Sequence, residues 1–183
     1  RRIETVDHST LSPTSTAHRY IYYGIYEVDA RNIGEGGRTW LGDQYDATTS
    51  YTYTLSLPDV PISPARLTLR AAANSLRPSN FSVNVNGATI GSLNINIIVS
   101  GNLAEQAEQD FSFSSSTATP TVTLTYSKPT SSSVGYLDYI EWQGNFNLRM
   151  RNGQIQFCNP QTVGNNAITR FNISNASSAM KVW

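Results

Sequence analysis

The chain has 183 residues, and its 13 Lys and Arg balance 13 Asp and Glu, so the formal net charge is zero. A nucleic-acid-binding protein needs excess Lys and Arg to neutralise phosphates, so this balance argues against that class of partner. Hydrophobic residues reach 39%, which argues against disorder, and no apolar run approaches the roughly 20 residues that a membrane-spanning helix needs. Ser, Thr and Asn together number 57 while charged residues reach only 14%, a composition typical of a secreted bacterial protein.

The first and last residues are those expected of a fragment of a longer chain. The sequence begins at Arg1 without an initiator Met and ends in an apolar stretch, so we expect both ends to be cut from a longer polypeptide. The segment 1–19 has no clear period and is predicted to be an N-terminal arm or linker. The segment 20–183 is predicted to be one domain.

Apolar and polar residues alternate with a period of two through most of the remaining chain, which predicts β-strands. The alternation is clearest in 51–57, 67–71, 81–85, 93–97 and 121–126. Further candidates are 20–28, 109–115, 135–143, 146–151, 154–158 and 168–173. About ten half-apolar strands are best buried in an all-β, antiparallel two-sheet β-sandwich of jelly-roll-like type.

Local signals place the turns and the one candidate helix. Asn86-Gly87 and Asn152-Gly153 each lie between two predicted strands, and Asn-Gly favours the positive φ of a two-residue hairpin turn. The segment 103–109 (LAEQAEQ) is the only stretch of good helix formers and predicts about two helical turns.

Cys158 is the sole cysteine, so no disulfide forms within the chain. A nucleophilic cysteine needs a nearby base, and His8 and His18 both lie far upstream. We therefore interpret Cys158 as a structural, buried residue. One Cys and two His do not make a zinc site, and we expect no cofactor.

Four acidic residues are candidates for metal binding or for acid–base catalysis. Asp43 and Asp46 lie near the Gly-rich segment 34–37 and could hold calcium, although a solvated loop without a metal is favoured over such a site. Asp138 and Glu141 lie three residues apart on one predicted strand, so they are expected to point to opposite faces. That arrangement is poor for the paired carboxylates of a glycosidase.

Two tryptophans are candidates for a platform on which a sugar ring stacks. Trp40 would act with Asp43, and Trp142 with Arg149. Core packing is favoured over this role for the alternating tyrosines Tyr51, Tyr53 and Tyr126.

The segment 134–142 (VGYLDYIEW) resembles a phrase, approximately FLDYI.LNY.R.L, of the type IX secretion system sortases (PorU-like proteins). In that family the phrase precedes a gingipain-type cysteine peptidase domain. In the family, a hairpin and then a VWDVT phrase follow it. The hairpin corresponds to 149–157 of this chain, and the letters VW correspond to Val182 and Trp183.

Two upstream stretches resemble the same family. The segment 20–29 followed by 37–43 (GRTWLGD) is similar to its GREWFGE stretch, although Thr39 and Leu41 stand where the family has Glu and Phe. The segments 67–73 and 81–87 are similar to its RLRAAA…F.V.VNG stretch. A further departure is 143–145 (QGN), where the family has a charged or Tyr-containing strand. The resemblance covers nearly the whole chain from about Tyr20.

The resemblance implies a non-catalytic accessory β-sandwich of a secreted or cell-surface peptidase associated with the bacterial outer membrane. The catalytic His and Cys would lie after Trp183, in a downstream peptidase domain of the same chain, and Cys158 does not match the nucleophile. The parent would resemble a sortase that removes C-terminal sorting domains from exported proteins and attaches the product to surface glycolipid. Candidate residues for ligand or interdomain contact are Trp40, Asp43, Trp142, Arg149, Val182 and Trp183.

Three other interpretations stay open. The parent could be another gingipain-like surface peptidase with the same preceding module. The chain could instead be a binding module for carbohydrate or glycolipid. It could also be an adhesive module that pairs through an open sheet edge, for which the Asn-rich strand at 93–98 is the candidate.

Overall fold

The computed structural model describes residues 10–34, 39–164, 166–177 and 180. Val182, Trp183, His8 and the Gly37-Arg38 pair of the family-like stretch lie outside these residues. Within them the chain forms eleven strands and one short 3-10 helix, Pro160–Thr162. The strands are β1 Ser15–Ala17, β2 Arg19–Glu27, β3 Gln44–Tyr45, β4 Ser50–Thr54, β5 Ile62–Asn74, β6 Ser79–Val85, β7 Ala88–Ile95, β8 Glu105–Phe113, β9 Thr121–Tyr126, β10 Val134–Asn147 and β11 Thr169–Phe171. The described part of the chain contains no helix of the length and apolarity that crossing a membrane requires.

Two sheets form the predicted all-β antiparallel sandwich. The five-stranded sheet has the order β2-β10-β5-β8, and β3 also pairs with β10. The four-stranded sheet has the order β4-β9-β6-β7. The remaining strands, β1 and β11, pair parallel in a separate two-stranded sheet. The prediction of an antiparallel two-sheet sandwich in a chain of about ten strands is confirmed.

The chain divides into two compact units, one formed by residues 1–22 and 145–183 and the other by residues 23–144. The predicted boundary after residue 19 remains a prediction. In the unit 23–144, the period-two residues of β5 and β6 are buried as expected, among them Leu67, Leu69, Phe81 and Val83. Rings from opposite sheets meet edge to face in this core, with the centroids of Tyr45 and Phe81 4.9 Å apart.

The predicted hairpin at Asn86-Gly87 is confirmed. Both residues have positive φ, 51° and 86°, and they connect β6 to β7. The Asn86 side-chain oxygen also accepts a hydrogen bond from the Thr121 backbone N–H at 2.9 Å, which ties the turn to β9.

The helix predicted over 103–109 is wrong, because this segment belongs largely to β8. That strand pairs antiparallel with β5 over nine positions, from Ala65–Phe113 to Ala73–Glu105. A two-turn helix gains little from its own hydrogen bonds. The ladder with β5 and the burial of Phe111 and Phe113 outweigh the helix propensity of the sequence.

The unit formed by residues 1–22 and 145–183 corrects the second predicted hairpin. Asn152 and Gly153 do form a turn, with φ of 50° and 77°. The segments on either side do not pair with each other, however. The segment after β10 instead exchanges backbone hydrogen bonds with Ser174, and Cys158 pairs with Ile21. The predicted turn is confirmed, but the predicted pairing is wrong. Each flanking segment pairs with a more distant segment instead.

We predict that Gly135→Ala destabilises the sandwich. A Cβ at this β10 position would lie 2.7 Å from the Phe81 ring and 2.9 Å from the Tyr126 ring, both buried in the facing sheet. Overpacking of this kind lowers the free energy of unfolding by about 1–3 kcal/mol, measured by urea denaturation. Gly34→Ala is the matched control, because its Cβ would make only ordinary contacts, the nearest at 3.6 Å. Equal stability of the two variants would contradict this packing.

Candidate functional site

Three neighbouring strands place charged side chains on one surface, the outward face of the five-stranded sheet. Polar Arg66, Thr68 and Arg70 of β5 alternate with the buried Leu67 and Leu69, so their side chains point away from the core. Carboxylates of β8 and β10 pair with the two arginines. We call this set the charged sheet face; it consists of Arg66, Arg70, Glu108, Asp110, Asp138 and Glu141.

The alternation of β10 changes phase in mid-strand, and this change completes the face. Gly135 and Leu137 are buried at odd positions, whereas Ile140 and Trp142 are buried at even positions. An extra residue in a strand, as in a β-bulge, has this effect. Asp138 and Glu141 therefore share the outward face. The prediction that they point to opposite faces is wrong, because it assumed unbroken alternation.

Each arginine of the charged sheet face bridges two strands through two carboxylates. Arg70 lies 3.1 Å from Asp138 of β10, through its Nε, and 3.9 Å from Glu108 of β8. Arg66 lies 3.8 Å from Glu141 of β10 and 3.6 Å from Asp110 of β8. Exposed isolated pairs contribute little to stability, but a shared network holds each side chain in one orientation.

Uncharged groups fix the carboxylates further. The hydroxyl of Tyr139 donates to Glu108 at 2.7 Å, that of Thr68 to Asp110 at 2.6 Å and that of Tyr23 to Glu141 at 3.2 Å. The guanidinium groups in turn donate to amide oxygens, Arg66 to Gln143 at 2.7 Å and Arg70 to Gln106 at 2.9 Å. The guanidinium carbon of Arg70 also lies 6.0 Å from the centroid of the Tyr139 ring. The face is thus ordered before anything binds to it.

Asp138 is the least exposed carboxylate of the face, with 11% of its side chain accessible. Burial raises its pKa, and the partial compensation by Arg70 is opposed by the negative charges of Glu27, Asp29 and Glu108. Both carboxylates that are candidates for paired acid–base chemistry lie within salt-bridge distance of a guanidinium group, Asp138 of Arg70 and Glu141 of Arg66.

Asp43 lies in the loop just before β3, as the sequence predicts, but it is partly buried rather than fully solvated. Its carboxylate accepts hydrogen bonds from the hydroxyls of Tyr53 at 2.9 Å and Tyr26 at 3.4 Å, and the Tyr53 and Tyr45 hydroxyls are 2.8 Å apart. Burial raises the pKa of both Tyr45 and Tyr53. The other calcium candidate, Asp46, pairs with Lys128. In the described residues no three His, Cys, Asp or Glu side chains are placed to hold a metal ion.

The two candidate tryptophans differ in accessibility. Trp40 is 46% exposed, as a sugar platform requires. Trp142 is 7% exposed, because its indole lies against Gly24, where no side chain intervenes. Arg149 is exposed, and its backbone forms a bridge with Ser174.

The interpretation of Cys158 as buried is wrong, because the structure exposes it. Its thiol lies 3.8 Å from the Ile21 carbonyl oxygen, to which it donates. Alternation predicts a strand around Cys158, but only an isolated bridge to Ile21 forms there.

A pocket of about 280 Å³ lies in the unit 23–144, between the turn that follows β2 and the connection into β8. Amide side chains of Asn32, Asn102 and Gln106 line it together with Thr39, and Leu103 supplies apolar surface. No sequence pattern indicates this pocket, because its walls come from two segments that are distant in the chain.

The raised pKa of Asp138 predicts how this group changes the free energy of unfolding as pH rises. The fold favours the protonated form relative to the unfolded chain, where the pKa is near 3.8. Stability from this group is fully present below pH 3.8 and is lost as pH rises through the folded-state pKa. At pH 7, Asp138→Asn should therefore leave the free energy of unfolding unchanged or higher.

Arg70→Met should do the opposite, because it leaves Asp138 without its cation. We expect it to lower the free energy of unfolding by about 1 kcal/mol or more in urea at pH 7. Arg77→Met, which removes an arginine outside the charged sheet face, is the control and should stay within about 0.5 kcal/mol. If Asp138→Asn costs as much as Arg70→Met, this electrostatic account of the face fails.

No protein-family model and no curated protein matches this sequence. Among solved structures, the chain is similar to dimeric latent PorU from Porphyromonas gingivalis, with a TM-score of 0.72 and 18% sequence identity. The alignment covers 91% of this chain and 16% of the PorU chain. At this identity the likeness shows a shared fold, and this chain spans only a small part of PorU.

Two carbohydrate-binding modules align more weakly. One is the module CBM36 in complex with calcium and xylotriose, with a TM-score of 0.43, 16% identity, and coverage of 66% of this chain and 87% of that chain. The other is a family 35 module from Clostridium thermocellum, with a TM-score of 0.39, 15% identity, and coverage of 72% and 98%. These scores are too low to carry an inference about function.

Proposed function

We propose that this chain is a non-catalytic accessory β-sandwich of a secreted or cell-surface cysteine peptidase of the gingipain type, a sortase of the type IX secretion system. The catalytic domain would follow Trp183 in the same polypeptide. The sandwich would then serve as a rigid neighbour that helps to position the catalytic domain.

The observation that carries this proposal is the likeness in fold to PorU over 91% of the chain. The family-like sequence stretches support it independently, because they occur in the family's order. One of them, 134–142, falls in β10, and two others fall in β5 and β6. Fold and motif order thus favour the same relative.

The setting of Cys158 supports a non-catalytic role. Its thiol donates to the Ile21 carbonyl, whereas a nucleophilic cysteine is activated by a base such as histidine. The charged sheet face adds an ordered recognition surface, as an accessory module requires.

The proposal is tested first in the gene that encodes this chain. We expect the reading frame to continue past Trp183 into a domain with a His and a Cys in gingipain-type context. In the full-length product, Cys158→Ala should leave peptidase activity unchanged, whereas replacing the downstream Cys should abolish it. A frame that stops or enters an unrelated domain would overturn the proposal, as would loss of activity in Cys158→Ala with the fold intact.

A second candidate function, binding of carbohydrate or glycolipid, is favoured by one observation. Trp40 is exposed, and the preceding residue, Thr39, lines the amide-rich pocket described above. Amide and hydroxyl groups beside an aromatic ring suit the hydroxyls and the apolar face of a sugar.

The carbohydrate hypothesis predicts that the chain binds at least one member of a panel of immobilised oligosaccharides. Trp40→Ala should then weaken binding about tenfold or more, because a ring at the centre of a contact carries much of its free energy. Tyr23→Ala removes an exposed aromatic elsewhere and should have little effect. If no oligosaccharide binds, or if both variants behave alike, this candidate is rejected.

A further inference from the structure

The charged sheet face carries an unbalanced charge. Four carboxylates share two guanidinium groups, so the face has a net charge of −2 in a chain whose total is zero. Glu27 and Asp29, at and just after the end of β2, add negative potential at Asp138. Negative charge is therefore concentrated on one side of an otherwise weakly charged molecule.

The imbalance is unfavourable within the free unit. Asp138 is largely buried, and its one guanidinium partner, Arg70, also serves Glu108. Burial and three neighbouring carboxylates raise the pKa of Asp138 despite that partner. A further cation brought against the face would relieve this repulsion, and the gain would appear as binding free energy.

The face also has the composition and order of a protein-binding surface. Tyr23 of β2 is 53% exposed, and its hydroxyl donates a hydrogen bond to Glu141. Ile25, on the same strand, is 44% exposed. Arg and Tyr are enriched at the centres of protein interfaces. Because hydrogen bonds already hold Arg66, Arg70 and Tyr139, little conformational entropy remains to be lost when a partner docks.

Two other occupants fit less well. A metal ion is disfavoured because the carboxylates are engaged by arginines, and the described residues contain no group of three ligands placed for a metal. A second copy of this chain is disfavoured because a two-fold contact would bring two negative faces together.

We propose that the charged sheet face is a docking surface for a basic protein surface, which places Lys or Arg side chains against Asp138 and Glu108. The partner presents cations at its centre and apolar groups toward Tyr23 and Ile25. This inference does not depend on the identity of the parent protein, since it rests on the charges and contacts of the face alone.

The test uses a fluorescent octa-arginine peptide as a probe of cation recognition, together with NMR chemical shifts that map where it binds. We expect the shift changes to cluster on β5, β8 and β10, and binding to weaken as salt is added. A length-matched peptide with citrulline in place of arginine should not bind, because it keeps the shape and loses the charge.

Matched variants make the test specific. Glu108→Gln with Asp110→Asn should weaken peptide binding about fivefold or more, because it removes two charges from the face. Asp46→Asn with Asp59→Asn removes two charges elsewhere and should change affinity less than about twofold. Urea denaturation of each variant reports whether its fold is intact.

Three results of the peptide experiment would overturn the proposal. They are shift changes outside the face, equal effects of the two double variants, and binding of the citrulline peptide. Saturable binding of Ca²⁺ at the same residues would also overturn it, in favour of a metal site. Self-association through the face would overturn it in favour of a dimer.

Discussion

The change of phase within β10 is the constraint on which the charged sheet face depends. Before Asp138 the odd-numbered residues enter the core, and after Tyr139 the even-numbered residues do. If the alternation ran unbroken, either Asp138 or Glu141 would be driven into an apolar core, where an unpaired carboxylate is very costly. With the shift, both carboxylates reach the arginines of β5, while Leu137, Ile140 and Trp142 all stay buried.

The change of phase gives β10 two roles: one side of the strand packs in the core, and the other side forms part of the charged sheet face. The inward side of β10 packs against the facing sheet, where Gly135 leaves room for the rings of Phe81 and Tyr126. The outward side carries an ordered network with surplus negative charge. A module that must hold its shape and also engage a neighbour needs both properties, which is why the accessory role and the docking proposal fit the same fold.

Much of the fold could be predicted because short-range rules determine it. Alternation located the strands around Leu67, Phe81 and Val122, and Asn86-Gly87 specified its own hairpin. The predictions were wrong where the structure of a segment depends on a partner that is distant in the sequence. Most of the helix-forming stretch 103–109 lies in an edge strand, because β5 offers it a nine-residue ladder. Within the described residues, the segments around Asn152-Gly153 form only isolated bridges, and these are with more distant segments. The charged sheet face was missed because the change of phase in β10 decides which side chains share a surface, and simple alternation does not predict that change.

The most direct measurement is an NMR pH titration of the side-chain carboxyls, in the wild-type chain and in Arg70→Met. The account predicts a pKa for Asp138 above its usual 3.8 and a further rise when its guanidinium partner Arg70 is removed. An Asp138 pKa below 3.8, or one that does not respond to Arg70→Met, would contradict the shared outward face and its surplus negative charge.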